Sequence, residues 1–389
     1  MTVKPWGNLV GVRPTKPLHS LLDRGLSYED ALEAMQGRYG ISRDKFDLLW
    51  QVANTARPVL AESSDPALFS VYVGIPFCPS RCLYCSFPSH SLTDLGKYRS
   101  QFVESLIHEI SETGRQTAAA GMRPFTVYIG GGTPTALEPE ELNRVLTSLR
   151  ESFPGVWREF TVEAGRPETI TDDHFQVIKQ NGVERISINP QTMHSSTLAL
   201  IGRKHSPDDV ISAVKKARNY GIEIVNMDVI IGLPGEDAGM VEETANQILA
   251  LQPENITMHV FARKRASRFN DQQIAYSLPD ASEATEMHSK VTEMVNGTYQ
   301  PYYLYRQRDI LGGLENIGYT LPDHQCLYNI LMIEERHNII GLGGGATSKF
   351  VTQDVSLTNI STPKDVRIYL ERIPQLIERR GVEIIKQAD

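Results

Sequence analysis

Tyr72-Val-Gly-Ile-Pro-Phe-Cys78-Pro-Ser-Arg-Cys82-Leu-Tyr-Cys85 carries a short apolar run directly into three cysteines within eight residues. A run of this length, rich in β-branched and aromatic residues and stopped by proline, reads as a buried strand. Comparable runs recur at 125–129, 160–164, 185–188, 222–231 and 255–261. Amphipathic stretches separate them, at 97–112, 140–152, 172–180, 208–220 and 240–251. Six strands alternating with helices predict parallel β/α units joined by right-handed crossovers. Six units fall short of the eight in a closed barrel, so a partial barrel or an open sheet is expected. Ligands then belong at the C-terminal ends of the strands.

Outside this block the pattern changes. Residues 1–67 read as a helical preface, with Ser27 as an N-cap followed by Glu29 and Asp30. A second helix is expected over 44–56, with Phe46, Leu49, Val52 and Ala53 on one face. After residue 265 the alternation stops, and 266–389 read as a C-terminal α+β domain. The expected units are therefore 1–67, 68–265 and 266–389. A net charge of -8 over 389 residues disfavours a nucleic-acid binder and a polybasic membrane anchor. No apolar run reaches ~18 residues and no secretory signal is read at the start. Four cysteines are too few for a disulfide framework, so a cytoplasmic, reducing setting is expected.

Cys78, Cys82 and Cys85 form one clump, and Cys326 lies 241 positions beyond it. Closely spaced thiolates on one loop suit an iron–sulfur cluster, and three of them leave one iron of four open. Spacing alone leaves two other readings: a zinc site completed by His90, or no metal at all.

Several strand ends add to the picture. Gly130-Gly131-Gly132-Thr133-Pro134-Thr135 follows the second strand, where glycine lets the backbone approach a ligand. Asp228 falls inside an apolar strand and needs a partner to be tolerated there. After the sixth strand come Arg263, Lys264, Arg265 and Arg268, four cations in six residues, suited to carboxylates if they are not simply solvated. Arg306 and Arg308 stand among tyrosines as a second candidate patch. Gly341-Leu-Gly343-Gly-Gly-Ala346 fits a dinucleotide fingerprint, but no βαβ context surrounds it.

The segment 72–87 resembles the signature of radical S-adenosylmethionine enzymes, and more narrowly the oxygen-independent coproporphyrinogen III oxidase family. That family includes haem chaperones and haem-modifying relatives. Pro5-Trp-Gly-Asn-Leu-Val-Gly-Val-Arg-Pro-Thr-Lys16, Tyr303-Leu-Tyr-Arg306-Gln, Leu314-Glu-Asn-Ile-Gly-Tyr319 and Cys326-Leu-Tyr-Asn329 are similar to its second-type coproporphyrinogen dehydrogenase branch. The resemblance implies a partial (β/α)6 TIM-like barrel of the radical SAM type, with the helical preface and the C-terminal α+β domain around it. It implies a [4Fe-4S] cluster on Cys78, Cys82 and Cys85, with S-adenosylmethionine on the open iron. Gly131, Gly132 and Thr133 would meet the amino group of that cofactor. Glu163, Gln191, Arg203 and Asp228 would surround it, with weaker matches at Tyr72, Tyr84, Ala262 and Thr347.

The implied reaction is oxidative decarboxylation of coproporphyrinogen III to protoporphyrinogen IX. Its implied partners are the tetrapyrrole substrate and a flavodoxin or ferredoxin as electron donor. Arg263, Arg265, Arg268 and Arg306 are the candidate substrate contacts. Two places depart from the oxidases proper: the pair Ser86-Phe87 stands where they have a further cysteine, and Gly74 where they have a histidine. Cys326-Leu-Tyr-Asn329 also departs from the chaperones' motif. That last departure argues against a chaperone, while the first ones leave a haem carrier, or a radical enzyme acting on haem or another tetrapyrrole, as the alternatives to the oxidase.

Cys82→Ala is expected to abolish the visible charge-transfer band of the iron-reconstituted protein. A band retained at full intensity would remove Cys82 from the ligand set.

Overall fold

The computed structural model describes residues 5–85, 89–262, 278–352 and 356–387. Three helices open the chain: α1 (Thr15–Asp23), α2 (Tyr28–Tyr39) and α3 (Arg43–Glu62). Ser27 caps α2 as expected, its hydroxyl accepting the Asp30 N–H at 3.3 Å. Ser42 caps α3 in the same way, through the Lys45 N–H at 3.4 Å. α3 continues beyond the expected end, through Pro58. α1 was not expected; it starts behind Pro14, with no side-chain cap to announce it.

The six expected strands are present. They are β1 (Leu68–Ile75), β2 (Arg123–Gly131), β3 (Glu159–Glu163), β4 (Arg185–Ser187), β5 (Ile224–Ile231) and β6 (Asn255–Val260). The crossover helices are α4 (Arg99–Ala119), α5 (Pro139–Ser152), α6 (Asp172–Gln180), α7 (Pro207–Asn219) and α8 (Ala238–Ala250). Beyond them lie α9 (Ala281–Val295), β7 (Gln300–Tyr305), β8 (Asn316–Thr320), α10 (Leu327–Glu334), β9 (Asn338–Gly343), β10 (Thr347–Val351), β11 (Leu357–Ser361) and α11 (Val366–Lys386).

All these strands form one sheet, in the order β11-β10-β9-β1-β2-β3-β4-β5-β6-β8-β7. The order is linear, so the barrel is partial. β1 to β6 run parallel, in the register Val71↔Val127↔Phe160 and Val162↔Ile186↔Val225. Residues of the expected C-terminal unit supply strands to both edges. β9 adds a seventh parallel strand beside β1, with Val71 opposite Ile340. β8 pairs antiparallel with β6, and β7 with β8.

Side chains alternate across each strand. Val127, Ile129, Val162, Ile186, Val225, Met227, Ile256 and Met258 join the apolar faces of the helices in one hydrophobic core that runs from Trp6 to Ile384. The intervening residues of β3 to β6 are mostly polar and point to the other face.

The glycine run 341–346 ends β9 and enters β10, with no helix after it, so the dinucleotide reading fails on its context. Its role is close packing. A Cβ on Gly74 would stand 2.6 Å from the Gly344 carbonyl oxygen, and one on Gly343 would stand 2.4 Å from the Gly74 carbonyl oxygen. A histidine at position 74 has no room in this arrangement.

Glu109 on α4 locks this region to the last helix. One of its oxygens accepts the Arg380 guanidinium at 2.6 Å. The other accepts the Tyr369 hydroxyl at 2.6 Å and the Gly343 N–H at 2.8 Å. Glu109 and Arg380 are fully buried, so removing either leaves an uncompensated charge. Arg380→Met is expected to cost about 3–5 kcal/mol in chemical denaturation, and the Glu109→Gln/Arg380→Met double variant less. A double variant that loses as much as the sum of the two singles contradicts this coupling.

Candidate active site

The polar residues of the inner face converge on a cavity of about 250 Å³. Its walls include Tyr128 of β2, Thr161 and Glu163 of β3, Arg185 and Ser187 of β4, Asn226 and Asp228 of β5, and Thr257 and His259 of β6. Tyr303 and Tyr305 of β7 close one side. Each strand contributes alternate residues, as its pleat dictates.

Cys78, Cys82 and Cys85 all face this cavity from the loop that follows β1. Phe77–Cys78 pairs with His90–Ser91 as a two-residue ladder, which draws the two ends of the loop together. The turn itself is closed by the Cys85 N–H on the Cys82 carbonyl at 3.2 Å, and the Leu83 N–H reaches the Ile201 carbonyl at 3.0 Å. Burial pushes the Cys78 thiol up to about 12, an effect opposed by Arg166 and reinforced by Cys85. A thiol of this kind ionises on coordinating a metal. His90 is not on the cavity wall; its ring nitrogen lies 2.9 Å from the Lys364 carbonyl oxygen. Cys326 lines the cavity from the N-cap of α10, where its thiol contacts Glu159 at 3.3 Å.

Gly131 and Gly132 bring backbone to the cavity wall beside the thiols. A Cβ on Gly132 would lie 2.3 Å from the Phe77 carbonyl oxygen and 3.0 Å from the Cys78 sulfur. Thr133 is buried behind this cradle, its N–H on the Phe77 carbonyl at 2.9 Å and its hydroxyl 3.2 Å from that of Thr135.

Glu163 accepts the Tyr128 hydroxyl. Burial pushes its carboxyl up to about 7, with Tyr128 opposing the rise and Asp228 adding to it. Asp228 is paired, as its place in an apolar strand required. It accepts the Asn226 amide at 2.8 Å and lies 3.4 Å from the His259 ring. His259 in turn meets the Tyr305 hydroxyl at 3.0 Å. Arg203 donates to the Gly165 carbonyl at 2.7 Å and to the Tyr84 hydroxyl at 3.1 Å.

Gln191 adopts φ 68°, a left-handed conformation unusual for a residue other than glycine. The strain is held by backbone pairing to β5, through Gln191 N–H to the Asp228 carbonyl and Ile230 N–H to the Gln191 carbonyl, both at 2.9 Å. Among the described residues its buried side-chain oxygen has no hydrogen-bond partner, and neither has that of Asn189. Both residues line the cavity. Buried acceptors without donors call for a ligand that brings N–H or O–H groups.

The site therefore unites Cys78, Cys82, Tyr84, Cys85, Gly131, Gly132, Glu163, Gln191, Arg203, Asp228 and Ala262. Tyr72 stands one layer behind, its ring stacked 6.2 Å from that of Tyr128. Thr347 begins β10, its hydroxyl 2.9 Å from that of Ser361, and is not on the wall. Arg306 is not brought to the site either. It donates to the Leu9 carbonyl at 2.8 Å and the Gly313 carbonyl at 3.1 Å, over the Trp6 ring. Backbone carbonyls and an aromatic face have taken the cation that looked free in the sequence. Arg263, Arg265 and Arg268, like Ser86, lie outside the described residues.

Residues that were missed include Asn189, Arg166 and His259. For His259 the signal was present: Asn255, Thr257 and His259 alternate with Ile256, Met258 and Val260. Arg166 sits in a loop, where periodicity says nothing.

The three thiols fit a [4Fe-4S] cluster, and the glycine cradle with two orphaned acceptors fits an amino acid–nucleoside ligand beside it. Residues 72–248 match the model of the Radical SAM superfamily. The oxygen-independent coproporphyrinogen-III oxidase-like protein HemZ of Bacillus subtilis is 38% identical over 382 residues, covering 96% of this chain and 76% of that protein. Heme chaperone HemW of Escherichia coli is 27% identical over 304 residues, covering 78% of this chain and 75% of that protein. The solved structure of coproporphyrinogen III oxidase (HemN) from Escherichia coli shares the fold, with a TM-score of 0.64 at 21% identity over 83% of this chain and 72% of that one. No helix among the described residues is long and apolar enough to cross a membrane. The chain belongs to the radical SAM superfamily, which works with a [4Fe-4S] cluster and S-adenosylmethionine, and within it to the family of HemN- and HemZ-like proteins.

Proposed function

We propose that this protein oxidatively decarboxylates two propionates of coproporphyrinogen III, without oxygen, to the vinyl groups of protoporphyrinogen IX. The observation that carries the reading is the cavity, where three thiols, a glycine cradle and two amide oxygens without a partner among the described residues face one space. The 38% identity to an oxidase-like relative points it toward tetrapyrroles.

In this reading Cys78, Cys82 and Cys85 hold the cluster. Gly131 and Gly132, with Thr133 behind them, receive the amino group of S-adenosylmethionine. Glu163, Gln191, Arg203, Asp228 and Ala262 surround the rest of it, and Tyr84 is steadied over the loop by Arg203. Tyr72 acts at one remove, through the Tyr128 ring that it stacks on. Thr347 is left to the packing of the β9–β10 edge. When both are bound, cluster and cofactor supply a 5′-deoxyadenosyl radical. Each propionate in net terms gives up a β-hydrogen atom to that radical, one electron to an external one-electron acceptor, and CO₂. A flavodoxin or ferredoxin in the cytoplasm is the proposed source of the priming electron.

The chain's own contribution is to bind, orient and exclude water. The paired Asp228, His259 and Tyr305 keep the wall rigid, and the tyrosines of β7 shield it. Propionate recognition falls to Arg263, Arg265 and Arg268, which follow directly on Ala262; arginine forks suit carboxylates.

Haem carriage is the second reading, favoured by the similarity to HemW proteins. Anaerobic incubation of reconstituted protein with reductant, S-adenosylmethionine and coproporphyrinogen III separates the two. The first reading predicts vinyl porphyrin and 5′-deoxyadenosine. S-adenosylmethionine cleavage without vinyl product would sink it, and stoichiometric haem binding without turnover would establish the second.

Binding of S-adenosylmethionine offers a finer test. Gln191→Ala is expected to weaken it roughly five- to tenfold, the worth of one hydrogen bond. Glu163 is ionised above about 7 and neutral below, so it attracts the cationic sulfonium ligand only on the alkaline side. Affinity measured by anaerobic equilibrium dialysis is expected to fall as the pH drops through that value, and Glu163→Gln to flatten the profile. An equally steep profile in the variant would remove Glu163 from the site.

A further inference from the structure

Arg166 follows β3 and takes no part in the motifs that define the site. It is 3% exposed, and every arm of its guanidinium is engaged. One terminal nitrogen donates to the Cys82 sulfur at 2.7 Å. The other donates to the Ser80 hydroxyl at 2.7 Å. Nε donates to Glu168 at 2.9 Å. Glu168 faces His205 at 3.2 Å on its second oxygen, and the far nitrogen of His205 lies 3.3 Å from the Pro190 carbonyl oxygen. A buried chain thus runs from the loop after β4 through His205, Glu168 and Arg166 to one thiol of the cysteine loop.

Arg203, another arginine of the cavity wall, behaves differently. Arg203 grips Tyr84 and the Gly165 carbonyl. Arg166 alone of the two donates to a cysteine sulfur. A guanidinium keeps its charge under all working conditions. Held beside a sulfur in a water-poor site, it favours whatever state of that sulfur carries more negative charge. Reduction of an iron–sulfur cluster adds one electron, shared with its sulfur ligands, and hydrogen bonds to those sulfurs set its potential.

We propose that Arg166 is a positioning residue for the cluster, oriented by Glu168 and His205, that raises its reduction potential through the Cys82 sulfur. The proposal rests on the cluster assignment made above. Glu168 acts in the opposite sense, because its carboxylate offsets part of the guanidinium charge. A bare structural staple would hold the loop equally well without affecting the potential.

The test is potentiometric titration of the anaerobically reconstituted protein without S-adenosylmethionine, followed by the electron paramagnetic resonance of the reduced cluster. Iron content is measured on every sample. Arg166→Met is expected to move the midpoint to more negative values, lowering the ratio of reduced to oxidised cluster about tenfold at the wild-type midpoint, or about 59 mV. Arg166→Lys keeps the charge and loses the fork, and is expected to recover part of that shift. Glu168→Gln is expected to move the midpoint the other way. Loaded Arg166→Met with an unchanged midpoint would overturn the proposal. If Arg166→Met loads no iron, Glu168→Gln decides: a positive shift supports the proposal, and none or a negative one refutes it. Wild-type protein that binds no iron would instead refute the cluster assignment itself.

Discussion

Alternation of side chains along parallel strands is the constraint on which the rest of this molecule depends. Residues such as Val127, Val162, Ile186, Val225 and Met258 go to the helix side and make the core. The residues between them, including Glu163, Arg185, Asn226, Asp228, Thr257 and His259, go to the cavity. A polar group there must find a partner or cost stability. Most do: Asp228 with Asn226 and His259, Glu163 with Tyr128, Arg185 with Asn255 and the His324 carbonyl. Among the described residues the side-chain oxygens of Thr161, Asn189 and Gln191 find none, and they call for donors from a ligand. Fold and site thus follow from the same pleat.

The cysteine loop depends on neighbours far away in the chain. Its root at Gly74 is packed against Gly343 and Gly344, which Glu109 ties to α4 and α11. Its middle is held by Arg166 from the loop after β3 and by the Ile201 carbonyl ahead of α7. The same glycine packing leaves no room for a longer side chain at position 74, because the Gly344 carbonyl just past β9 fills the space.

Much of the barrel was legible in the sequence, because β1 to β6 and their helices are local patterns of period two and 3.6. The cysteine triad was legible by spacing, and Asp228 by the cost of a carboxylate in an apolar strand. Other features were hidden for physical reasons. β9 pairs with β1 across more than half the chain, and no local pattern announces such a partner. Arg306 looked like a substrate cation because its carbonyl partners, Leu9 and Gly313, are assembled only by folding. Arg166 lies in a loop, where a side chain's direction is set by tertiary contacts. Gly131 and Gly132 were found through resemblance, and the clash of a Cβ at 132 with the Phe77 carbonyl supplies their physical reason.

Three cysteine thiolates on the wall of this cavity would leave one iron of a four-iron cluster open to S-adenosylmethionine. Mössbauer spectroscopy of ⁵⁷Fe-reconstituted protein, recorded anaerobically with and without S-adenosylmethionine, tests it most directly. The account predicts that a single iron site changes its isomer shift on addition of the ligand while the others keep theirs. A spectrum indifferent to S-adenosylmethionine, or a site that takes zinc and no iron, would contradict it.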